Sequence, residues 1–134
     1  MLTVNELSKT AQTTSDAIRH YVRIGLLTPT RDPGNGYKLF NKDDVNKVKF
    51  ICRAKGLGFT LRDIHTIFDH SNNRRSPCPA VRDIILQRID ENRRRLLELN
   101  SLQERMDDAL VRWKSLPDGE PNGEAICQLI EAID

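Results

Sequence analysis

The chain has 134 residues, enough for one domain with a modest core, and its 38% hydrophobic, 30% charged and 5% aromatic content favours helices with aliphatic seams over a β-sandwich. No apolar run approaches the ~18–20 residues of a membrane span, and the start Met1-Leu2-Thr3-Val4-Asn5-Glu6 has no basic region followed by an apolar stretch, so neither a membrane anchor nor a signal peptide is expected. Charge is uneven: residues 1–78 carry 13 Lys+Arg against 7 Asp+Glu, and residues 79–134 carry 8 against 12, so the front half suits a polyanion, although a solvated basic surface would show the same bias.

Thr3-Val4-Asn5-Glu6 is a capping box, and Val4, Leu7 and Ala11 give a helical stripe over roughly 4–11. Thr13-Thr14-Ser15 opens a second helix with Ile18 and Val22, and Tyr21 as a further candidate, on its apolar face and Gly25 as its C-terminal signal. Two short helices joined by about three polar residues predict a helix-turn-helix. Leu26-Leu27-Thr28-Pro29 is extended. Asn35-Gly36 is the dipeptide that most readily takes the left-handed backbone of a tight hairpin turn, with Tyr37, Leu39 and Phe40 on a short strand, so a two-stranded wing is expected beside the helices.

Asn41 can cap a third helix, with Asp43 and Asp44 in its first turn and Val45, Val48, Phe50, Ile51 and Ala54 along it. Thr60 through Asp63 starts a fourth helix with Leu61, Ile64, Ile67 and Phe68 on its apolar face, and polar residues 69–76 read as a loop. From Pro79 to Lys114 there is no further glycine or proline, which predicts a helix over 79–114, about 54 Å long at 1.5 Å per residue. Its seam is Val81, Ile85, Ile89, Leu96, Leu99, Leu102, Met106, Leu110 and Trp113, with Asn92 in the one seven-residue gap. A small domain cannot cover so long a seam, so a second copy of the chain is the economical partner. A flexible loop follows, then a short amphipathic helix with Ile126, Leu129, Ile130 and Ile133, expected to dock on the long helix. The organisation is therefore a winged helix-turn-helix domain over 1–76, a dimerisation helix over 77–116, and an effector loop with a C-terminal helix over 117–134: a mainly α fold.

The motifs Ala17-Ile18-Arg19-His20-Tyr21, Gly25-Leu26-Leu27, Gly36-Tyr37-Lys38-Leu39-Phe40, Asp43-Asp44-Val45 and Leu57-Gly58-Phe59-Thr60-Leu61, in this order and ahead of a long helix, resemble the MerR-type bacterial transcription regulators, closest in layout to their metal-sensing branch. The resemblance covers the whole chain. It implies a homodimer through an antiparallel coiled coil, binding double-stranded promoter DNA in the cytoplasm. It also implies that an effector makes the dimer bend and untwist an over-long promoter spacer, so that RNA polymerase meets both promoter elements. His20 departs from the family's usual Phe or Tyr, Lys38 from its usual wing Arg, and Cys52 from the Arg that metal sensors often carry in helix 3. Lys38 can still hold phosphate as a point charge, without the planar fork of Arg.

For DNA, the second helix would enter the major groove, with Arg19 on its exposed face able to make paired hydrogen bonds to guanine or phosphate. Thr14 and Ser15 stand at that helix's start, where free N–H groups suit phosphate. The resemblance places Tyr21, Tyr37 and Lys38 on the DNA backbone, although Tyr21 also fits a core ring and Lys38 a solvated strand. Arg53 and Lys55 fit solvent exposure better than DNA contact.

The three cysteines, Cys52, Cys78 and Cys127, are an odd number at wide spacing, so no disulfide framework follows and a reducing compartment is expected. By resemblance, Cys78 matches a thiol just before the long helix, and Cys127 the distal one of a loop contributed by the other protomer; the proximal one is missing. A soft divalent ion held by Cys78 and Cys127, with Asp118, Glu120, Glu124 or water as third ligand, is the implied cofactor, the alternative being a DNA-binding protein with no metal effector. Each thiol also fits a small buried hydrophobe, Cys52 above all, since it lies mid-helix in an apolar stretch. A second class is a redox or electrophile sensor using Cys52, whose neighbours Arg53 and Lys55 could lower its pKa. His20, His65 and His70 fall in no acid–base or metal spacing, so catalysis is not expected.

Overall fold

A computed structural model describes residues 1–133. The elements are α1 (Val4–Thr10), α2 (Ser15–Arg23), β1 (Thr30–Arg31), β2 (Lys38–Leu39), α3 (Lys42–Gly56), α4 (Leu61–Asn72), α5 (Cys78–Trp113) and α6 (Gln128–Glu131). They form two compact units that divide inside α5, one of Met1–Arg88 and one from Ile89 onward. No described helix is long and apolar enough to cross a membrane.

Three helices of the first unit start on reciprocal caps. Thr3 accepts from the Glu6 N–H while Glu6 accepts from the Thr3 N–H; Asn41 with Asp44 and Thr60 with Asp63 repeat the arrangement. Each box satisfies two donors that a helix end leaves open, so these starts are set by four-residue motifs. Gly25, at φ +83°, follows the last residue of α2's cap and takes the left-handed conformation that closes the helix. Gln12, at φ 58°, does the same between α1 and α2 without being glycine.

Leu7, Ile18, Leu27, Phe40, Val48, Ile51 and Ile64 are fully buried, drawn from α1 to α4 and from the segments flanking the hairpin, and form a single core. Val81, Ile84 and Ile85 of α5 pack against it. Arg88 reaches from α5 to Asp63 at the start of α4, donating at 2.8 and 3.0 Å. Burial alone would raise the Asp63 pKa, but the Thr60 N–H, the Arg88 guanidinium and the Thr60 hydroxyl together hold it below its usual value.

Three expectations need correction. Residues 69–72 are not loop: α4 runs to Asn72, since nothing in Asp69-His70-Ser71-Asn72 breaks a helix, and the chain leaves only at Arg74, at φ 57°. The hairpin is not closed by a two-residue Asn35-Gly36 turn. Gly36 alone is left-handed, at φ +72°; its N–H donates to the Asp32 carbonyl and the Asp32 N–H to the Tyr37 carbonyl, so four residues make the loop. Asp32 and Asn35 side chains, accepting from the Gly34 and Tyr37 N–H groups, favour this wider form. Phe50 does not join the buried stripe of α3; it is 38% exposed and packs on Phe68 with ring centres 5.6 Å apart.

In the second unit, most of the predicted seam lies open: Ile89, Leu96, Leu99, Leu102, Met106 and Leu110 are all exposed. Among the described residues of this unit only Ala109 is buried. The C-terminal segment docks on α5 as expected, where the Trp113 indole N–H donates to the Leu129 carbonyl at 2.9 Å, although α6 itself is only four residues.

Candidate nucleic-acid interface and thiol positions

Asn5 holds the helix-turn-helix together. Its side-chain oxygen accepts from the Ser15 hydroxyl at 2.8 Å, tying the start of α2 to α1. Thr14 caps α2 by accepting from the Ala17 N–H at 3.1 Å, which leaves its own hydroxyl proton free to donate outward. Arg19 is on the outer face of α2, paired with Asp16 at 3.0 Å. With side-chain exposures of 54% and 96%, that pair is worth little and can be exchanged for an external anion.

Tyr21 has its ring in the core, at 3% exposure. Its pKa is raised, by burial first and by the neighbouring Cys52 second. Among the described residues no buried side-chain oxygen lacks a partner, and no hydrogen bond ties the Tyr21 hydroxyl, so that oxygen reaches the surface at its edge. Tyr37 is 65% exposed at the wing, and Lys38 is half-buried on β2.

Sequence reasoning missed Arg31. In the antiparallel register Arg31 stands directly opposite Lys38, and its guanidinium donates to the Gly36 carbonyl at 3.1 Å. Like charges placed opposite each other on a sheet repel. Arg19, Arg31, Tyr37, Lys38 and Asn5 line one open groove of about 510 Å³, so the recognition helix and the wing present three cations to a common concavity. Counting outward from a four-residue loop would have paired Arg31 with Lys38; counting from a two-residue turn does not.

The thiols are spread. Cys78 is exposed as the first residue of α5, its N–H donating to the Ser76 hydroxyl oxygen at 3.4 Å. Cys127 is half-buried and precedes α6. Cys52 is exposed rather than buried: the covered positions of α3 are Asp44, Val45, Val48, Ile51 and Ala54, and the next residue after Ile51 turns about 100° away from that face. Among the described residues of one chain, no three His, Cys, Asp or Glu side chains gather to hold a metal ion.

Residues 2–71 match the MerR HTH family regulatory protein domain, and residues 45–109 match the domain described as MerR, DNA binding. The chain is 28% identical over 138 residues to the HTH-type transcriptional regulator ZntR of Escherichia coli K12, covering 100% of this chain and 93% of that protein. It is 31% identical over 106 residues to the regulator HmrR of Rhizobium leguminosarum bv. viciae, covering 79% and 81%. In fold it is similar to the transcription regulator PbrR691 of Ralstonia metallidurans CH34, solved in complex with lead(II), with a TM-score of 0.77, 20% identity and 98% of each chain covered. With the matched domains spanning residues 2–109 and a helix-turn-helix, a cation-lined wing and a long helix following in that order, the chain belongs to the MerR family of DNA-binding transcription regulators.

Proposed function

We propose that the protein acts in the cytoplasm as a homodimer, not as an enzyme, binding a two-fold symmetric promoter duplex and remodelling it when a soft metal ion binds. The observation that carries the DNA reading is the groove shared by Arg19, Arg31 and Lys38. Arg19 reads a base edge or grips a phosphate in the major groove, while Tyr37, Lys38 and Arg31 hold phosphates outside it. Thr14 donates its hydroxyl proton to a phosphate. Ser15, whose proton is given to Asn5, positions α2 instead. Tyr21 contributes only the edge of its hydroxyl. Bending and untwisting the spacer costs energy that these outer contacts offset, and RNA polymerase then meets both promoter elements.

The exposed aliphatic seam supports dimerisation, and charge supports an antiparallel one. The first half of α5 carries Arg82, Arg88, Arg93, Arg94 and Arg95 against Asp83, Asp90 and Glu91, whereas the second carries Glu98, Glu104, Asp107 and Asp108 against Arg105 and Arg112. Antiparallel pairing sets opposite halves together. It also brings the Cys78 end of one α5 to the Trp113 end of the other, to which the Cys127 segment is bonded. Cys78, at the start of a 36-residue helix, and the partner copy's Cys127 would hold the ion, with Asp118, Glu120, Glu124 or water as third ligand. The resemblance to ZntR and to a lead(II)-bound regulator supports this chemistry. When bound, the ion neutralises two thiolates and cross-links the protomers. The exposure of Cys52 favours a second reading, oxidation or alkylation of that thiol as the signal.

A titration of the reduced protein with zinc, cadmium, lead, mercury and copper(I), run beside Cys52→Ser, Cys78→Ser and Cys127→Ser, tests the effector. Binding lost with Cys78 and Cys127 but kept with Cys52→Ser is expected. Binding undiminished in both of the first two variants refutes the site, and a response to peroxide or aldehydes confined to Cys52 supports the second reading.

A further inference from the structure

Of the nine residues of α2, Asp16, Arg19 and Arg23 are exposed, and their spacing of three and four sets them on one face. In a helix-turn-helix it is the N-terminal part of the second helix that meets base edges, which puts Asp16 and Arg19 nearest the bases. An exposed carboxylate is out of place there, because it repels the phosphates that Arg31 and Lys38 are proposed to hold. The positive end of a helix favours an acidic residue anywhere in the first turn, so that effect alone does not call for one on the DNA-facing side. What distinguishes Asp16 is its partner: Oδ1 accepts from the Arg19 Nη1–H at 3.0 Å. Giving Arg19 up to a phosphate would leave the carboxylate unpaired among anions, whereas a base pair lets both charges stay together.

The two side chains form a row of groups. The guanidinium is a planar fork of N–H donors, and Asp16 takes one of them, leaving enough for a paired contact with a base. Along the fork and onto the carboxylate the row is donor, donor, acceptor. In the major groove a G·C pair shows acceptor, acceptor, donor: guanine N7 and O6, then cytosine N4–H. The inverted C·G pair shows that order backwards, and A·T and T·A both show acceptor, donor, acceptor, with a thymine methyl at one end. Only a G·C pair in one orientation matches the whole row. The spacing agrees as well, since O6 and N4 are hydrogen-bonded to each other at ~2.9 Å while Nη1 and Oδ1 stand 3.0 Å apart.

We propose that Asp16 is a specificity-determining residue: with Arg19 it reads one G·C pair in each half-site, Arg19 donating to guanine N7 and O6 and Asp16 accepting from cytosine N4–H, so that the carboxylate fixes which strand carries the guanine. The inference rests on the DNA reading proposed above and assigns Arg19 to a base, while Arg31, Tyr37 and Lys38 keep the phosphates. Arg19 alone has no means of choosing a strand, because its long side chain can swing to a guanine on either one. The carboxylate supplies the choice in two ways. It holds the guanidinium to one side through Nη1, and on an inverted pair it would face the lone pairs of guanine instead of an amino group, which is repulsive. An adenine in place of the guanine would set its N6 amino group against a donor of the fork.

Selection of sites by the full-length reduced protein from a randomised duplex library tests it. The base pair whose preference disappears in Arg19→Ala marks the position, and competition anisotropy then compares all four base pairs there, changed in both half-sites. The wild type should prefer G·C over C·G by about tenfold or more. Asp16→Ala should bring that ratio to within about twofold while still rejecting A·T and T·A, since the fork alone accepts a guanine on either strand. Asp16 is exposed and outside the core, and each ratio is taken within one protein, so a lower folded fraction cancels. A ratio unchanged in Asp16→Ala, or a gain in affinity spread evenly over all four pairs, overturns the inference and leaves Asp16 as a helix-end charge. Selected sites with no G·C pair at the Arg19 position also overturn it. A wild type that selects no sequence at all from the library overturns the DNA reading, and this inference with it.

Discussion

Replacing Arg31 by alanine tests the groove directly. Arg31 is exposed on β1, its guanidinium's one hydrogen bond among the described residues is to the Gly36 carbonyl, and its side chain is not part of the core, so the fold should survive. Each phosphate neutralised by a cation adds about −0.9 to the slope of log affinity against log salt. A dimer carries Arg31 twice, so Arg31→Ala should make that slope shallower by about 1.8. Over a rise from about 50 to 200 mM salt, the wild type should therefore lose ~12-fold more affinity than the variant. Fluorescence anisotropy of a labelled promoter duplex across that range measures it. Arg31→Lys keeps the charge but gives up the planar fork, and it should retain the wild-type slope. An unchanged slope in Arg31→Ala would show that the wing cation does not touch phosphate and that the shared concavity is incidental.

Leu99→Asp should shift the chain to monomer at micromolar concentration by mass photometry, because it desolvates a carboxylate in the proposed seam at a cost of at least about 2 kcal/mol per chain; a persistent dimer would mean that another surface pairs the protomers. Asp63→Asn should lower stability to urea by about 1–3 kcal/mol at neutral pH, since it removes the charge that holds Arg88 bidentately at 2.8 Å with side chains only 12% and 22% exposed. The Asp63 pKa is depressed on folding, so this stabilisation is present above its ordinary value of 3.8 and disappears as pH falls through the folded value. The gap between wild type and Asp63→Asn should therefore close in acid, and a gap that widens there would contradict the ion pair.

Helix starts were legible because a capping box is local: Thr3 with Glu6 and Thr60 with Asp63 need only four residues to declare themselves. The seam of α5 was legible for the same reason, since spacings of three, four and seven survive whatever the rest of the chain does. What depended on a count across a loop was not. Reading Asn35-Gly36 as the turn shifts every cross-strand pair, and Arg31 drops out of the site although it sits beside Lys38. Cys52 failed differently. Hydrophobic neighbours in sequence suggested burial, but on a helix the neighbours that share a face are three and four residues away, and Cys52 follows Ile51 onto the wet side. The end of α4 was misplaced because polar residues without glycine or proline continue a helix readily when its other face is anchored by Ile64 and Ile67.

The wing also bears on how the protein keeps apart from itself. A two-stranded sheet has two free rims, and such rims recruit strands from other molecules. Leu2 takes part of the β2 rim, exchanging both backbone hydrogen bonds with Phe40 at 2.7 Å. The β1 rim has no such cover among the described residues; what it has is Arg31, across from Lys38 on strands only two residues long. The cations proposed to draw a polyanion into the groove also repel a second wing. A regulator crowded onto one promoter can thus leave a strand unpaired without seeding aggregation, and on the DNA reading proposed above colloidal solubility and DNA affinity would draw on the same two side chains.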